Sequence, residues 1–255
     1  MKTIASRQNP LFKRIRDAIR EHRDEIVIEG PKPVADAIEA GWKPLALATR
    51  VGAADSPAGI VATRPAGEAP AAPAVVAFDD ALFDQLAETR SPQSVIGLFA
   101  RPRTDAHAIL SQRDRIIVAL DAVQDPGNVG TIIRLAAAFD AAGVLLLPGC
   151  ADPFAPKTIR STAGAILTVP VANISAEELI ESSVPLFAAD ARGTRSDPPS
   201  HDAILVFGSE GTGVSSELMN VATPLAIAMS GRVESLNVAS SAAILLSRAF
   251  AARTS

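Results

Sequence analysis

Hydrophobic and polar positions follow two different patterns along the chain, and the pattern changes near residue 103. From residue 115 onward, short apolar runs of the kind that form buried strands alternate with stretches of helical spacing. The first such pair is the strand-like RIIVALDAV (115–123) and the helical NVGTIIRLAAAFDAAG (128–143), which Gly143 is expected to close. Alternation of this kind with short connections predicts an α/β domain, built on a largely parallel sheet with helices on both faces.

The same pattern continues to the end of the chain. It predicts a long final helix over about 235–253, packed through residues that follow a spacing of three and four. These packing positions are Leu236, Ala239, Ala243, Leu246 and Phe250. Further strands are predicted in GVLLLP, LTVPVA, PLFAAD, AILVFG and LAIAMS, and further helices in PKTIRSTAGA and SAEELIES.

The region before residue 103 predicts a separate, smaller α/β domain. A helix is expected over about 9–23, a strand in EIVIEG, a helix in PKPVADAIEAG and a closing strand in SVIGLFARP. Residues 52–76 are rich in Ala, Pro and Gly and predict a surface loop. We therefore assign a first domain to 1–103, a polar linker to 104–114 and a second domain to 115–255.

Composition narrows the class of protein. The chain has 255 residues, of which 48% are hydrophobic, so it can bury a large core. A single cysteine, Cys150, excludes a disulfide framework within the chain, and with only three histidines no metal centre is expected. The polar N-terminus does not resemble a secretory signal, and no run approaches the roughly 18 apolar residues that span a membrane. These features predict a soluble, cytoplasmic protein.

Charge is distributed unevenly. The formal net charge is −4, but residues 1–23 contain seven basic and only two acidic side chains. Phosphate contacts require a locally basic surface and not a basic protein, so RNA binding is expected at four positions of this segment. They are Arg7, Lys13, Arg14 and Arg16. A solvated amphipathic helix is the alternative. With no Tyr and one Trp, an aromatic platform for stacking bases is excluded.

A first loop of interest, DPGNVGTIIR, follows the strand that ends at Val123. Asn128 is expected to cap the helix that begins there. Arg134 lies between Ile133 and Leu135 in an otherwise apolar helix. A lone charge in such a setting has either solvent or an anionic partner, so Arg134 is a candidate functional residue or an ordinary surface arginine.

Two further loops also follow predicted strands. VFGSEGTGVSSE (206–217) combines three glycines with an embedded carboxylate, Glu210, and matches neither a P-loop nor a dinucleotide fingerprint. In AIAMSGRVESLNVASSAAI (226–244), Ser235 or a neighbour is expected to cap the last helix, and Asn237 is expected early within it. Taken alone, each loop is also compatible with an ordinary turn or helix start.

Together and in this order, the three loops resemble the signature motifs of the SpoU/TrmH family of SPOUT-class RNA methyltransferases. The first motif is matched by Asn128, Gly130 and Arg134, the second by Gly208, Glu210, Gly211 and Gly213, and the third by Ile227, Met229, Gly231 and Ser235 to Val238. Ala228 stands where the family usually has Pro. In the stretches SRQNPLFKRIRD and VIEGPKPVADAIEAG, the first domain resembles the substrate-binding domain of the family, which is similar to ribosomal protein L30e.

The resemblance implies a fold, a cofactor and a set of roles. It implies a deep C-terminal trefoil knot, S-adenosylmethionine as cofactor, and methyl transfer to a ribose 2′-hydroxyl of RNA. The implied catalytic residues are Asn128, Arg134, Glu210, Ser235 and Asn237, and the implied cofactor contacts are Gly208, Gly211, Ile227, Met229, Leu236 and Val238. Arg134 is expected to act as a base or as a clamp on phosphate and hydroxyl, and the sequence leaves both open.

The substrate and the assembly also follow from the resemblance. Ribosomal RNA is preferred over transfer RNA as substrate because of the first domain. Two different functions stay open, a non-catalytic RNA-binding assembly factor and a Rossmann-type oxidoreductase. The resemblance also implies a homodimer joined through the knotted domain. The small residues Ala239 to Ala243 support it, with Ala242 expected towards a second copy, and tight packing within one chain is the alternative.

Overall fold

The computed structural model describes residues 3–52, 73–87, 94–193 and 196–254. The chain divides into two compact units. The first comprises Met1–Pro102 with Phe154–Pro156, and the second comprises Arg103–Pro153 with Lys157–Ser255.

The first unit contains a five-stranded mixed sheet with the strand order β1-β4-β3-β5-β2. Strand β5 runs antiparallel to both of its neighbours, whereas the β4 pairings are parallel. The strands are β1 (Thr3–Ile4), β2 (Glu25–Glu29), β3 (Pro44–Arg50), β4 (Ala74–Phe78) and β5 (Val95–Ala100), and the helices are α1 (Pro10–Glu21), α2 (Pro31–Glu39) and α3 (Asp80–Leu86).

Helix α1 confirms the predicted helix over 9–23, with slightly shorter ends. Its start is capped by Asn9, whose side chain accepts a hydrogen bond of 2.9 Å from the Leu11 amide. Phe12, Ile15 and Ala18 are buried in the core of the unit. Because these positions recur every three residues, they form one apolar stripe, and the basic side chains of the helix remain on the outer faces.

Three strands of the first unit, the short β1 and the longer β3 and β4, were missed by the sequence pattern. Strand β3 is a buried partner of β4 and β5, and β4 begins inside the region predicted as a loop. Both strands are rich in alanine, which has little intrinsic preference for strands, so pairing and burial decide their conformation. Most of the predicted loop, residues 53–72, lies outside the described residues.

The second unit contains a six-stranded sheet with the order β11-β9-β10-β6-β7-β8, and the pairings between these strands are parallel. This confirms the predicted α/β fold with a parallel sheet. The strands are β6 (Ile116–Asp121), β7 (Gly143–Leu146), β8 (Val171–Asn173), β9 (Leu186–Ala189), β10 (Ala203–Gly208) and β11 (Thr223–Leu225). The helices are α4 (Ala106–Leu110), α5 (Pro126–Ala138), α6 (Pro156–Ser161), α7 (Ala176–Glu181), α8 (Ser216–Met219) and α9 (Val238–Thr254).

Both faces of this sheet are covered. On one face, apolar side chains of α4, α7 and α8 join those of the strands in a single cluster, which includes Ile109, Leu179 and Leu218. Helices α5 and α9 contact each other. Helix α5 also contacts β7, and helix α9 also contacts β10. The rings of Phe139 and Phe250 lie 6.2 Å apart between α5 and α9. In each of the two central strands, β6 and β10, all six residues are buried.

Several predicted boundaries in this unit were wrong. Helix α4 lies within the segment predicted as a linker, because Ile109 and Leu110 are buried in the core. Helix α5 ends at Ala138, and Gly143 begins β7 instead of closing the helix. A Cβ atom at Gly143 would lie 2.9 Å from the Pro170 carbonyl oxygen, so glycine is needed there for close packing.

Two predicted strands are also shorter than expected. A 3₁₀ turn at Ala165–Leu167 ends at the first residue of LTVPVA, and β8 begins only at Val171. In LAIAMS the strand β11 ends at Leu225, so residues 226–230 are irregular. Sequence period alone does not separate a short strand from an extended loop, because both present apolar residues to a core.

Helix α9 buries a different face from the one predicted. Ala239 and Leu246 are buried as expected, but Leu236 precedes the helix, and Ala243 and Phe250 are half-buried. The expected exposure of Ala242 to a second copy is wrong, because Ala242 is fully buried within its own chain. Its small side chain allows close packing inside the unit. No described helix is both long enough and apolar enough to cross a membrane.

Candidate active site

The second motif forms a tight turn at the end of β10. The Gly213 amide donates to the Ser209 carbonyl at 2.9 Å, and the hydroxyls of Ser209 and Thr212 are hydrogen-bonded at 2.8 Å. A Cβ atom at Gly208 would lie only 2.0 Å from the carbonyl carbon of Gly213. The turn therefore folds back onto its own strand. This close approach leaves no room for a side chain at position 208, so only glycine fits there.

A chain of side-chain hydrogen bonds connects the three motifs. The Asn128 carboxamide donates to Glu210, which lies at the tip of the turn. The Asn237 carboxamide donates in turn to Asn128 Oδ1 at 3.2 Å. Glu210 and Asn237 are exposed and Asn128 is half-buried, so these hydrogen-bonded side chains lie at the surface, where a substrate can reach them. Residues that are far apart in sequence are thus brought into one polar cluster.

Asn128 does not cap helix α5, contrary to the sequence prediction. The cap is Asp125, whose carboxylate accepts a hydrogen bond of 2.9 Å from the Asn128 amide. This hydrogen bond lowers the pKa of Asp125, and the Lys157 ammonium, 3.5 Å away, lowers it further. Because Asp125 takes the capping role, the carboxamide of Asn128 remains available for Glu210 and Asn237.

Asn237 lies immediately before helix α9 and not within it. Its Oδ1 accepts hydrogen bonds from the amides of Ala239 at 2.9 Å and Ser240 at 3.3 Å, which is the geometry of an N-cap. Its Nδ2 donates to Asn128. A residue of poor helix propensity is therefore placed at the helix start by its capping role, and Ser235 lies outside the helix.

A cavity of about 410 Å³ opens beside this cluster, at the carboxyl ends of β9, β10 and β11. This is the edge at which open α/β sheets bind ligands. Its wall combines glycines and aliphatic side chains with hydroxyl and charged side chains. The predicted residues that line it are Gly208, Glu210, Gly211, Ile227, Met229, Ser235, Leu236 and Val238.

Sequence reasoning missed one wall of the cavity, formed by Ala189–Arg192 after strand β9. Asp190 and Arg192 form an ion pair there, with Arg192 Nη2 2.8 Å from Asp190 Oδ2. Hydrogen bonding from Arg192 lowers the pKa of Asp190. The position of these residues in the sequence could have identified them. They follow β9, which was predicted as a strand, and in a parallel sheet its carboxyl end lies at the same edge as that of β10.

A second missed residue, Asp121, ends the buried strand β6. Its carboxylate is buried and accepts a hydrogen bond of 2.7 Å from the Ser215 amide. This contact fixes the chain where it leaves the second motif. An acidic residue at the end of an otherwise apolar strand was the signal that could have identified it.

Arg134 lies apart from these residues. It is exposed on helix α5, does not line the cavity and makes no hydrogen bond or ion pair with a described residue. Six residues of α-helix rotate a side chain by about 240° relative to Asn128, so the two residues point in different directions. Within one chain, the structure therefore brings together four of the five predicted catalytic residues and leaves Arg134 outside.

The four basic residues predicted to bind RNA lie in the first unit, at or before α1. Arg14 is engaged with Glu25, with Nε 2.9 Å from Oε2, and this hydrogen bond raises the pKa of Arg14. Lys13 donates to Gln8 at 2.7 Å and is exposed, as is Arg7, whereas Arg16 is half-buried. Arg7 and Lys13 are therefore the more accessible cations of the set.

No group of three or more His, Cys, Asp and Glu suited to a metal ion occurs within the described residues. The Cys150 thiol, which is half-buried, donates to the Leu120 carbonyl at 3.2 Å, and burial raises its pKa. A thiol with a raised pKa is a weak nucleophile.

The known proteins to which this chain is similar in sequence include RNA methyltransferases. A 23S rRNA (adenosine(1067)-2′-O)-methyltransferase of Streptomyces laurentii is 30% identical over 261 residues, which cover 96% of this chain and 94% of that protein. An uncharacterized tRNA/rRNA methyltransferase of Synechocystis is 36% identical over 141 residues, and the chain spans about half, 52%, of its length.

The similarity extends to solved structures. The AdoMet-bound rRNA methyltransferase from Sinorhizobium meliloti superposes with a TM-score of 0.81 at 30% identity, covering 97% of both chains. The sequence profile of the SpoU rRNA Methylase family matches residues 115–247, the region that carries all three motifs. The resemblance inferred from the motifs is confirmed: the chain belongs to the SpoU rRNA Methylase family.

Proposed function

We propose that this protein is an S-adenosylmethionine-dependent RNA methyltransferase that methylates a ribose 2′-hydroxyl, with ribosomal RNA as the substrate. The observation that carries the proposal is the cavity at the carboxyl edge of the sheet, directly beside the Asn128–Glu210–Asn237 chain. A cavity of small-molecule size beside side chains that can orient a hydroxyl group supports this reaction. The relatives' names supply the reaction and the class of RNA.

The cavity fits the proposed cofactor. Its volume of about 410 Å³ falls within the range of small-molecule sites, and its wall offers aliphatic side chains for a nucleoside base beside polar groups for the remainder of the molecule. Main-chain groups face it where glycine occupies the wall. We propose Gly208, Gly211, Ile227, Met229, Leu236 and Val238 as its contacts. Bound S-adenosylmethionine supplies an electrophilic methyl group on a positively charged sulfur. Ala228 replaces the family's Pro between two of these contacts.

The polar chain is proposed to hold the ribose of the RNA. Two carboxamides and a carboxylate, each fixed by a neighbour, present donors and acceptors in defined directions. Orientation of this kind lowers the barrier, because the reacting hydroxyl is already aligned when the substrate is bound. Ser235, on the cavity wall, adds a hydroxyl that can donate or accept.

We propose that the active unit is a homodimer. Arg134 is exposed and lies outside the cavity of its own chain. A two-fold arrangement lets each cavity receive the partner's Arg134, which would otherwise have no role in the reaction. The guanidinium of the second chain then completes the site, either as the base or as a clamp on phosphate. The deep trefoil knot of the family is proposed for the segments that carry the second and third motifs.

The first unit is proposed to be the L30e-like RNA-binding domain, and the second unit, which includes helix α4, is proposed to be the methyltransferase domain. Its accessible cations, Arg7 and Lys13, fit contacts with phosphate. The proposed substrate also implies that the enzyme works in the cytoplasm, where ribosomal RNA is assembled.

The proposal is tested by incubating the protein with methyl-labelled S-adenosylmethionine and either ribosomal or transfer RNA. Label should enter ribosomal RNA and protect one phosphodiester from alkaline hydrolysis, because that cleavage requires a free 2′-hydroxyl. Label in transfer RNA alone would contradict the ribosomal substrate. RNA binding without any label would indicate a non-catalytic assembly factor.

A further inference from the structure

The Asp190–Gly193 turn, which follows β9, has features of a recognition element that the three motifs do not include. Asp190 lines the cavity, yet only 14% of its side chain is exposed. Its carboxylate accepts three hydrogen bonds from Arg192: from the amide at 2.7 Å, from Nε at 3.1 Å and from Nη2 at 2.8 Å. The carboxylate is thus both largely buried at the wall and held in one orientation.

The turn itself is fixed to the neighbouring strand. The Asp190 amide donates to the Leu225 carbonyl at 2.9 Å, and the Gly193 amide donates to the Asp190 carbonyl at 3.0 Å. A Cβ atom at Gly193 would lie 2.9 Å from main-chain atoms of Pro224 and Ala226, so the chain passes very close to β11 there. The position of the carboxylate is therefore set by the sheet and not by a free loop.

The carboxylate has remaining capacity for one ligand donor. An ionised carboxylate offers about four lone-pair sites, and Arg192 occupies three, two of them on Oδ1. Oδ2 accepts only one hydrogen bond. The guanidinium balances the charge, so a neutral hydroxyl donor is a better partner than an additional cation. The other acids of the wall differ, because Glu210 is engaged with Asn128 and Glu234 is exposed.

We infer that Asp190 is a specificity-determining residue that accepts a hydrogen bond from a ribose hydroxyl of the cofactor's adenosine, while Arg192 holds its carboxylate in place. This inference rests on the proposed function. The aliphatic wall formed by Leu225, Ile227 and Leu236 suits the base, which leaves the ribose diol as the hydroxyl donor of the adenosine. Carboxylates after parallel strands recognise ribose in the same chemical way in dinucleotide-binding folds.

The test measures binding by calorimetry with the full-length protein. The probes are S-adenosylhomocysteine and its 2′-deoxy and 3′-deoxy analogues. In the wild type, removal of one of the two hydroxyls should weaken binding roughly ten- to a hundred-fold, the range for hydrogen bonds to charged groups. In Asp190→Ala, the deoxy and parent compounds should bind equally. In Asp190→Asn, which keeps an acceptor but not the charge, the discrimination should be intermediate.

A ratio measured within each variant is insensitive to general loosening of the turn. The matched control is Asp202→Asn, which removes another Asp–Arg pair, with Arg113, that does not line the cavity. It should keep the wild-type ratio. A second probe, 5′-methylthioadenosine, has a ribose but no amino acid. Its binding should also weaken in Asp190→Ala, whereas an unchanged affinity would assign the contact to the cofactor's ammonium and overturn the inference.

The remaining outcomes distinguish the role of Asp190 from the proposed function. Equal binding of parent and deoxy compounds to the wild type would overturn the role of Asp190 and leave the proposed function intact. If S-adenosylhomocysteine did not bind to the wild type, the proposed cofactor and the inference would both fail.

Discussion

Asn237 and Asn128, which are 109 positions apart in sequence, are joined by a hydrogen bond of 3.2 Å between their carboxamides. The same Asn237 side chain caps helix α9 through its oxygen. One residue therefore contributes to the stability of the final helix through one atom and to the polar cluster through another. A substitution that changes one of these two atoms and keeps the other can distinguish an effect on stability from an effect on activity.

Asn237→Asp keeps the capping oxygen but replaces the donor that faces Asn128 with an acceptor. We expect the free energy of unfolding to stay within about 0.5 kcal/mol of the wild type, because Asp and Asn cap equally well. Methyl transfer should fall on the order of ten-fold or more. Asn237→Ala, measured by denaturant unfolding, should cost about 1 kcal/mol in addition to activity. Full activity in Asn237→Asp would show that the hydrogen bond to Asn128 has no part in the reaction.

Gly208→Ala should disrupt the turn of the second motif. The new Cβ would lie 2.0 Å from backbone of Gly213, which cannot be accommodated without displacing the turn. We expect cofactor affinity to fall at least about ten-fold, or roughly 1.4 kcal/mol, in a calorimetric titration. Gly211→Ala is the matched control for the fold: because a Cβ there has no protein atom within 4 Å, the free energy of unfolding without cofactor should fall in Gly208→Ala and stay unchanged in Gly211→Ala. Equal effects of the two changes would contradict the steric argument.

Arg134→Ala should abolish methyl transfer while cofactor affinity stays within about ten-fold of the wild type, or roughly 1.4 kcal/mol, because Arg134 does not line the cavity of its own chain. Arg134→Lys distinguishes its two proposed roles. A clamp that relies on charge should retain part of the activity, whereas loss of bidentate geometry should remove it. Single-turnover assays measure the effect, and wild-type turnover in Arg134→Ala would remove this residue from the mechanism.

If two chains share each site, inactive variants should complement each other. Mixing Arg134→Ala with Gly208→Trp should restore part of the activity, because one of the two sites in a heterodimer then combines an intact cavity with an intact arginine. Each variant mixed with itself is the control. A fully active monomer in sedimentation at micromolar concentration would exclude the dimer, and a dimer without complementation would place each site within a single chain.

RNA affinity should depend on the exposed cations near α1. The double change Arg7→Ala and Lys13→Ala should weaken RNA binding and lower the slope of log affinity against log salt by about 1 for each phosphate that is no longer neutralised. Cofactor affinity should not change. Arg113→Ala, which removes a cation paired with Asp202 in the second unit, serves as the control. An unchanged salt slope in the double variant would contradict the proposed RNA-binding surface.

The sequence alone determined much of this protein. Its alternating apolar runs predicted the parallel sheet of the second unit, because a strand buried on both faces must be apolar along its whole length. Its three loops identified the family, because close backbone packing restricts positions such as Gly208 to glycine. Most residues that line the cavity therefore lie in the second and third of these loops.

Only the tertiary structure decided which atoms meet. Asn128 was expected to cap its helix, but Asp125 does so, because either polar residue can serve and the choice depends on the path of the incoming chain. Asp190 was missed because its role depends on strand order, which places β9 between β10 and β11. Ala242 was expected at a surface and is buried, since an alanine is compatible with either place until its neighbours are known. Local sequence specifies conformation and polarity, whereas hydrogen-bond partners, cavity walls and buried faces arise from contacts between segments distant along the chain.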